Sequence, residues 1–253
     1  DVSTASYADK YFPVDTQESS PESVSFKSDG TVMYIVGTAT DTVYQYTLST
    51  AWDVSTASYA DKYFPVDTQD LVPNSVTFNS DGTSMYIVGN DNDYIYQYSL
   101  STAWDVSTAS YIRLKKIDAF DVNATSLAFN SEGSLMYLVG TQNNTVHQFT
   151  LSNSWDLSSF LDEEKSFSVG IGDIIPESLH FKPDGTVMYI LGTSSDKVHQ
   201  YTLSTAWDVS TASYNNKSYY VLYNNPTSVY FNSDGTIMYH LDTYNSIVYL
   251  GNL

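Results

Sequence analysis

The chain has 253 residues, with 29 Asp and Glu against 10 Lys and Arg, for a formal charge of −19. That balance excludes a general nucleic-acid or anionic-membrane binder, because phosphate-rich partners would be repelled. The absence of cysteine excludes disulfides and thiolate metal sites, and no apolar run approaches the roughly 18 residues of a membrane-spanning helix.

Two rare residue types share one spacing. Trp52, Trp104, Trp155 and Trp207 lie 52, 51 and 52 residues apart, and Met33, Met85, Met136, Met188 and Met238 lie 52, 51, 52 and 50 apart. The chain is therefore one unit of about 51 residues copied five times, a period that decides architecture before anything else is read. The repeats run approximately 1–52, 53–104, 105–155, 156–207 and 208–253, within a single domain spanning 1–253. Asp1 falls inside a repeat, so a longer parent chain is expected and no targeting signal can be read.

In the first full copy, Ser23 to Phe26 is a short β-rich run ending in Ser28-Asp29-Gly30, a hairpin signal because Asp and Gly tolerate positive φ. Thr31 to Val36 follows, apolar on both faces, as in a strand covered on both sides. Gly37 to Asp41 breaks it, and Val43 to Leu48 is a third strand rich in tyrosine and β-branched residues. A long polar turn from Ser49 to Ala57 leads to a fourth run, Tyr63-Phe64-Pro65-Val66. Its proline has no N–H to donate and so fits an outermost strand. Four short strands per copy without helical periodicity make a propeller blade.

The ends select a closed ring. The chain begins with a fourth strand (Lys10 to Val14) that has no preceding three, and it finishes with three strands that lack a fourth. Together they complete one blade. The expectation is an all-β, five-bladed β-propeller, four antiparallel strands per blade, closed by the N-terminal strand.

The run Phe-x-x-Asp-Gly-Thr-x-Met-Tyr-Ile-Val-Gly resembles the first hairpin of YVTN- and TolB-type propeller repeats, over about a quarter of each copy. The phrase Ser-Thr-Ala-Trp-Asp-Val-Ser-Thr-Ala-Ser-Tyr is similar to repeats of marine phage and metagenomic proteins of unknown function. Blade number and unit length are similar to those of tachylectin-2, a five-bladed lectin with one sugar site per blade, which implies a repeated sugar site as one expectation.

Strand order puts the first and third turns of each blade on one face and the second turn and the blade-to-blade loop on the other. On the first face the Trp-Asp turn recurs almost unchanged, so Trp52, Asp53, Trp104, Asp105, Trp155, Asp156, Trp207 and Asp208 form a candidate repeated ligand site. An indole offers a flat apolar face to a sugar ring, and acidic neighbours bond hydroxyls. The structural alternative, which the residues favour, is that each Trp fills the gap between blades while each Asp caps its own turn.

The opposite face varies, with Asp41, Asp91, Asp93, Asn144, Asp196 and Tyr244 on its second-to-third turns. The loops Asp15 to Glu18, Asp67 to Asp70, Gly172-Asp173 and Asn224-Asn225 lie beside them. Loops on a rigid scaffold are where specificity is usually placed, with drift of exposed loops as the alternative. Glu22 and Glu177 open innermost strands near the channel mouth, and two acids there raise a glycosidase reading. Asp41 and Asp91-Asn92-Asp93 supply oxygen ligands that calcium prefers, without the full spacing of a known site. His147 and His199 take a tyrosine position and read as packing residues. Gln45, Gln97, Gln148 and Gln200 read as satisfying backbone groups between blades. Arg113, Lys115 and Lys116 read as edge protection on an outer strand.

The expected function is non-catalytic binding or display, of a glycan or a protein partner, by an extracellular or virion-associated monomer with no cofactor, nucleic acid or membrane. A purely structural scaffold of a larger phage or surface protein is the alternative, and a glycoside-active enzyme comes third.

Overall fold

A computed structural model describes residues 1–221 and 225–253, with backbone alone at 162–164. Asn224 of the loops named above lies outside the described residues. Blade 1 comprises β2 (Pro21–Phe26), β3 (Val32–Gly37), β4 (Thr42–Leu48) and β5 (Ala57–Pro65). Blades 2, 3 and 4 follow as β6 (Pro73–Phe78) to β9 (Ala109–Lys116), β10 (Ala124–Phe129) to β13 (Phe160–Ser168), and β14 (Pro176–Phe181) to β17 (Ala212–Tyr220). Blade 5 takes β18 (Pro226–Phe231), β19 (Ile237–Asp242) and β20 (Ile247–Asn252) from the C-terminal end and β1 (Ser6–Pro13) from the N-terminal end. In the closing pair Ser6 lies opposite Asn252 and Pro13 opposite Ile247. The ring is the expected five-bladed propeller, closed as expected.

One boundary differs. The outermost strand begins at Ala57 rather than Tyr63, because a bulge near Asp61, at φ 56°, interrupts the alternation that marks a strand. The same bulge at Asp9 in β1 hides that strand's beginning. Such bulges also blunt the free edges at the rim.

The core lies between blades. Met33, Met85, Met136, Met188 and Met238 are fully buried on the second strands. In one cluster Val24, Phe26, Met33 and Ile35 of blade 1 meet Tyr239, Leu241 and Val248 of blade 5. Burying one such side chain stabilises by about 1.5–3 kcal/mol, so each interface is a substantial apolar joint.

At the axis a polar joint takes over. Each innermost strand pairs on one side only, and its other edge faces the channel. The Val76 nitrogen donates to Ser23 Oγ, Leu127 to Ser75, Leu179 to Ser126, Val229 to Ser178, and Val24 to Ser228, at 3.1–3.5 Å. Five buried serines thus tie five blades into a closed cycle of side chain-to-backbone bonds. A shift of register after the first residue of each innermost strand sets the serine's direction. Replacing Ser126 with alanine leaves the buried Leu179 N–H without its acceptor and should cost about 1–3 kcal/mol. Urea unfolding checks this, and a midpoint equal to that of the parent protein would refute the role assigned to the serine.

Candidate functional site

Each Trp-Asp turn is built on an unusual backbone. Trp52, Trp104, Trp155 and Trp207 all sit at φ between 65° and 67°, a left-handed conformation that a bulky side chain rarely adopts. Three contacts hold it. The Trp52 nitrogen donates to the Gly30 carbonyl at 2.9 Å. The indole lies on Gly30, where a Cβ would overlap it, and the same is true at Gly82, Gly133 and Gly185. The tryptophan carbonyl then accepts a hydroxyl from the preceding blade: Tyr34 to Trp104 at 2.8 Å, Tyr86 to Trp155 at 2.5 Å, Tyr137 to Trp207 at 2.7 Å and Tyr239 to Trp52 at 2.6 Å.

The aspartates are fully engaged. Asp53 Oδ1 accepts from the nitrogen and hydroxyl of Ser55, capping a 3-10 turn, while Oδ2 meets Lys10 of the preceding blade at 2.5 Å. Lys62–Asp105, Arg113–Asp156, Lys165–Asp208 and Lys217–Asp1 repeat that pairing at the other junctions. Burial opposes ionisation of Asp53, but the bonds from Lys10 and Ser55 hold its carboxyl below the usual range. The bonds of each carboxylate therefore go to its own turn and to the preceding blade. Gln45, Gln97, Gln148 and Gln200 add the expected bridge, accepting from the nitrogens of Val106, Leu157, Val209 and Val2. In the basic cluster Arg113 belongs to this inter-blade set. Lys115 lies 4.0 Å over the Phe160 ring, and Lys116 pairs with Asp118 at 2.7 Å.

The variable face has a geometric logic of its own. Asp41, Asp93, Asn144 and Asp196 sit at φ of 50–58°, and their carbonyls accept from Val66, Ile117, Val169 and Val221 just beyond the outer strands. Asp and Asn suit this position because they tolerate the left-handed region. Asp91 and Tyr244 are exposed, Tyr244 at 83%. Among the described residues no three His, Asp or Glu are grouped to hold a metal ion, Asp41, Asp91 and Asp93 included.

Below these turns lie buried carboxylates, three of which (Glu18, Asp70 and Asp173) belong to loops that the sequence placed among the variable surface loops. Glu18, Asp121 and Asp173 leave the blade-to-blade loops and accept from backbone nitrogens of the second-to-third turns, and Asp70, equally buried, accepts from the Val72 nitrogen at 2.8 Å. Each lies against a glycine (Gly37, Gly89, Gly140, Gly192) where a Cβ would overlap it. Blade 5 has aspartate in the glycine's place. The buried Asp242 reaches the same kind of turn from the strand, accepting from the Asn245 nitrogen at 3.1 Å.

The axial channel differs at its two ends. On the Trp face it widens into a bowl. A cavity of about 240 Å³ is walled by Ser25, Thr77, Ala128, His180 and Tyr230, with the serine cycle in its floor. A neighbouring recess of about 250 Å³ brings Trp104 and Trp155 to the rim, and Trp207 joins from the first. Among the described residues lining either cavity, none is charged. Burial pushes His180 down to about 4, so its ring is neutral at pH 7. The ring packs edge-on against Tyr230 at 4.8 Å. A bowl with aromatic edges, hydroxyls and a neutral imidazole can hold a small uncharged hydrogen-bonding molecule.

At the other end Glu22 and Glu177 open β2 and β14. The equivalent Asn74, Thr125 and Thr227 bond carbonyls of the next blade. Burial, then repulsion from Glu177 and Glu18, raises Glu22 to about 8; burial raises Glu177 to about 7 despite a bond from Thr193. A retaining or inverting glycosidase needs one carboxylate ionised while the other stays protonated. Here burial raises both, and the charge of Glu177 raises Glu22 the further of the two.

No protein-family model and no curated protein matches this chain. Solved structures share its fold. A functionally unknown protein from Desulfotomaculum acetoxidans is 16% identical, with a TM-score of 0.54 over 88% of this chain and 62% of the other. A putative 6-phosphogluconolactonase from Bacteroides uniformis is 14% identical, with a TM-score of 0.54 over 90% and 64%. The periplasmic gluconolactonase of Pseudomonas aeruginosa is 13% identical, with a TM-score of 0.54 over 89% and 64%. The chain therefore spans under two thirds of each of those structures. At such identities the likeness is one of fold alone.

The shifted carboxylates set a pH dependence. Glu22 and Glu177 bind protons more tightly folded than unfolded, so their contribution is complete below about pH 4.5. It is lost as the pH rises toward 7 for Glu177 and 8 for Glu22. Asp53, Asp105, Asp156 and Asp208 act oppositely, losing theirs below the usual carboxylate range. The thermal midpoint should fall between pH 5 and 8, and Glu22→Gln should flatten that fall while raising the midpoint at pH 8. Calorimetry across this range is the check, and an unchanged slope in the variant would contradict the assignment.

Proposed function

We propose that this propeller is a non-catalytic binding module whose ligand is a small neutral glycan unit held in the axial bowl. The observation that carries the reading is the absence of charge among the described residues lining the bowl, in a chain of net charge −19. Sugar sites pair aromatic surface with a few placed polar groups, and this bowl has Trp104, Trp155 and Trp207 above Ser25, Thr77 and His180. A display role on a virion or cell surface accords with the resemblance of the repeat phrase to marine phage and metagenomic repeats, and the YVTN- and TolB-like hairpin belongs to the scaffold.

A second reading keeps a site at each junction. Open grooves of about 490 and 310 Å³ run beside Trp207 and Trp52, with Lys165–Asp208 and Lys10–Asp53 on their rims. Titration of neutral and acidic glycans, followed by tryptophan fluorescence and calorimetry, separates the two. The axial reading expects one site per chain, a preference for uncharged sugars, and at least a tenfold loss in Ala128→Phe, which fills the bowl. Four equivalent sites indifferent to Ala128→Phe would favour the grooves. Silence across all glycans would leave the scaffold.

A further inference from the structure

The axial bowl is blind and has two lobes. Its lower lobe, of about 240 Å³, has Ser23, Ser75, Ser126, Ser178 and Ser228 in its floor. Glu22, Asn74, Thr125, Glu177 and Thr227, one residue nearer the variable face, do not line it. A ligand entering from the Trp face therefore stops at the serine cycle and does not thread the channel. The recess of about 250 Å³ is the upper lobe, and the two share Ser25, Thr77, Phe129, Ser131 and Tyr230. Ser28, Ser80 and Ser131 of blades 1 to 3 border the upper lobe together with Trp104 and Trp155. In blade 4 the equivalent residue is Pro183, which borders the lower lobe beside His180 and Trp207. The chamber thus rises from the axis toward blades 1 to 3 rather than straight outward.

Size and closure together select the part of a glycan that fits. Pockets for drug-sized ligands span roughly 300–1,000 Å³. Each lobe falls below that range and suits one sugar ring, while the pair falls within it. An internal unit of a glycan continues into the chain at two points, and the lower lobe has a single mouth. Resting on the axial glycan reading, we propose that this site recognises glycan ends. The terminal ring occupies the lower lobe against His180 and Tyr230, and the ring linked to it occupies the upper lobe beside Trp104 and Trp155. Ser25 and Thr77 offer hydroxyls to the terminal ring, and Ser28 and Ser80 offer theirs to the second. Affinity and selectivity then come from the last two residues of the glycan, and the chain behind them stays in solvent.

The test uses four neutral 1,4-linked series, of glucose, galactose, mannose and N-acetylglucosamine, each as monosaccharide, dimer and hexamer, with affinities from calorimetry. In a series that binds, the dimer should be at least about tenfold tighter than the monosaccharide, as for engaging one more ring. The hexamer should be no tighter per mole than the dimer, since each chain has one terminus of the recognised kind. A site that reads internal units would favour the hexamer several-fold, in proportion to its adjacent pairs. Ser80→Tyr and Ser28→Tyr, at exposed turn positions, place a ring in the upper lobe. Either should bring the dimer down to the affinity of the monosaccharide and leave the latter unchanged, which also shows that the variant is folded. A hexamer favoured over its dimer, or a dimer advantage that survives both substitutions, would overturn end recognition and leave the axial glycan reading standing. Silence in all four series would overturn both.

Discussion

The free edge of the innermost strand is the constraint on which the rest of this propeller depends. A blade's first strand has one hydrogen-bonded neighbour, and the channel leaves no room for another. One unsatisfied buried N–H per blade would cost about 1–3 kcal/mol, and five would rival the net stability of an ordinary domain. Ser23, Ser75, Ser126, Ser178 and Ser228 remove that penalty by lending a hydroxyl oxygen to the following blade. Because each serine serves its neighbour, the bonds are satisfied only when the ring is closed. Farther out the same directional logic recurs with longer side chains: Gln45 reaches the next 3-10 turn, Tyr34 the next tryptophan carbonyl, and Lys62 the next capping aspartate. Exposed pairs such as Lys62–Asp105 add little individually. Their value lies in fixing the angle between blades.

This division explains what could be read from the residues beforehand. The period, the second-strand methionines, the ring closure and the glutamine bridges were legible because each follows from residue type at a repeated position. The serines carried the same signal, with the same spacing as the methionines, yet serine is too common in this chain to stand out. The left-handed tryptophans were not legible, since nothing in an indole announces positive φ. The glycine beneath it, the bond to that glycine's carbonyl and the neighbouring blade's tyrosine together hold that conformation. The outer strands began earlier than expected because a bulge breaks alternation without leaving a turn signature. The aspartates of the Trp turns were visible as candidates, but the three lysines and one arginine that occupy them come from 43 residues earlier in the chain.

The bowl illustrates a different limit. Ser25, Thr77, Ala128, His180 and Tyr230 occupy one repeated position and are the least alike of any set on the inner strands. Read along the chain they look like drift. Read around the axis they give a chamber small on one side and aromatic on the other. Symmetry supplies the frame, and departures from symmetry supply a surface able to discriminate. The half-buried indoles belong to both, with one face in a joint and an edge toward the bowl or a groove.

The exchange at Asp242 bears on how such a chain changes over time. Four blades place glycine at the end of the second strand and a carboxylate on the incoming loop; the fifth places the carboxylate on the strand. Glycine and acid are complementary halves of one lock, carried some 20 residues apart. Duplicating or swapping a blade between copies preserves the lock only if the cut leaves both halves on the same piece. A junction that separated them would leave either two carboxylates forced into one buried space or none. Recombination among these near-identical repeats is thus restricted to particular break points, although the sequence elsewhere looks freely interchangeable.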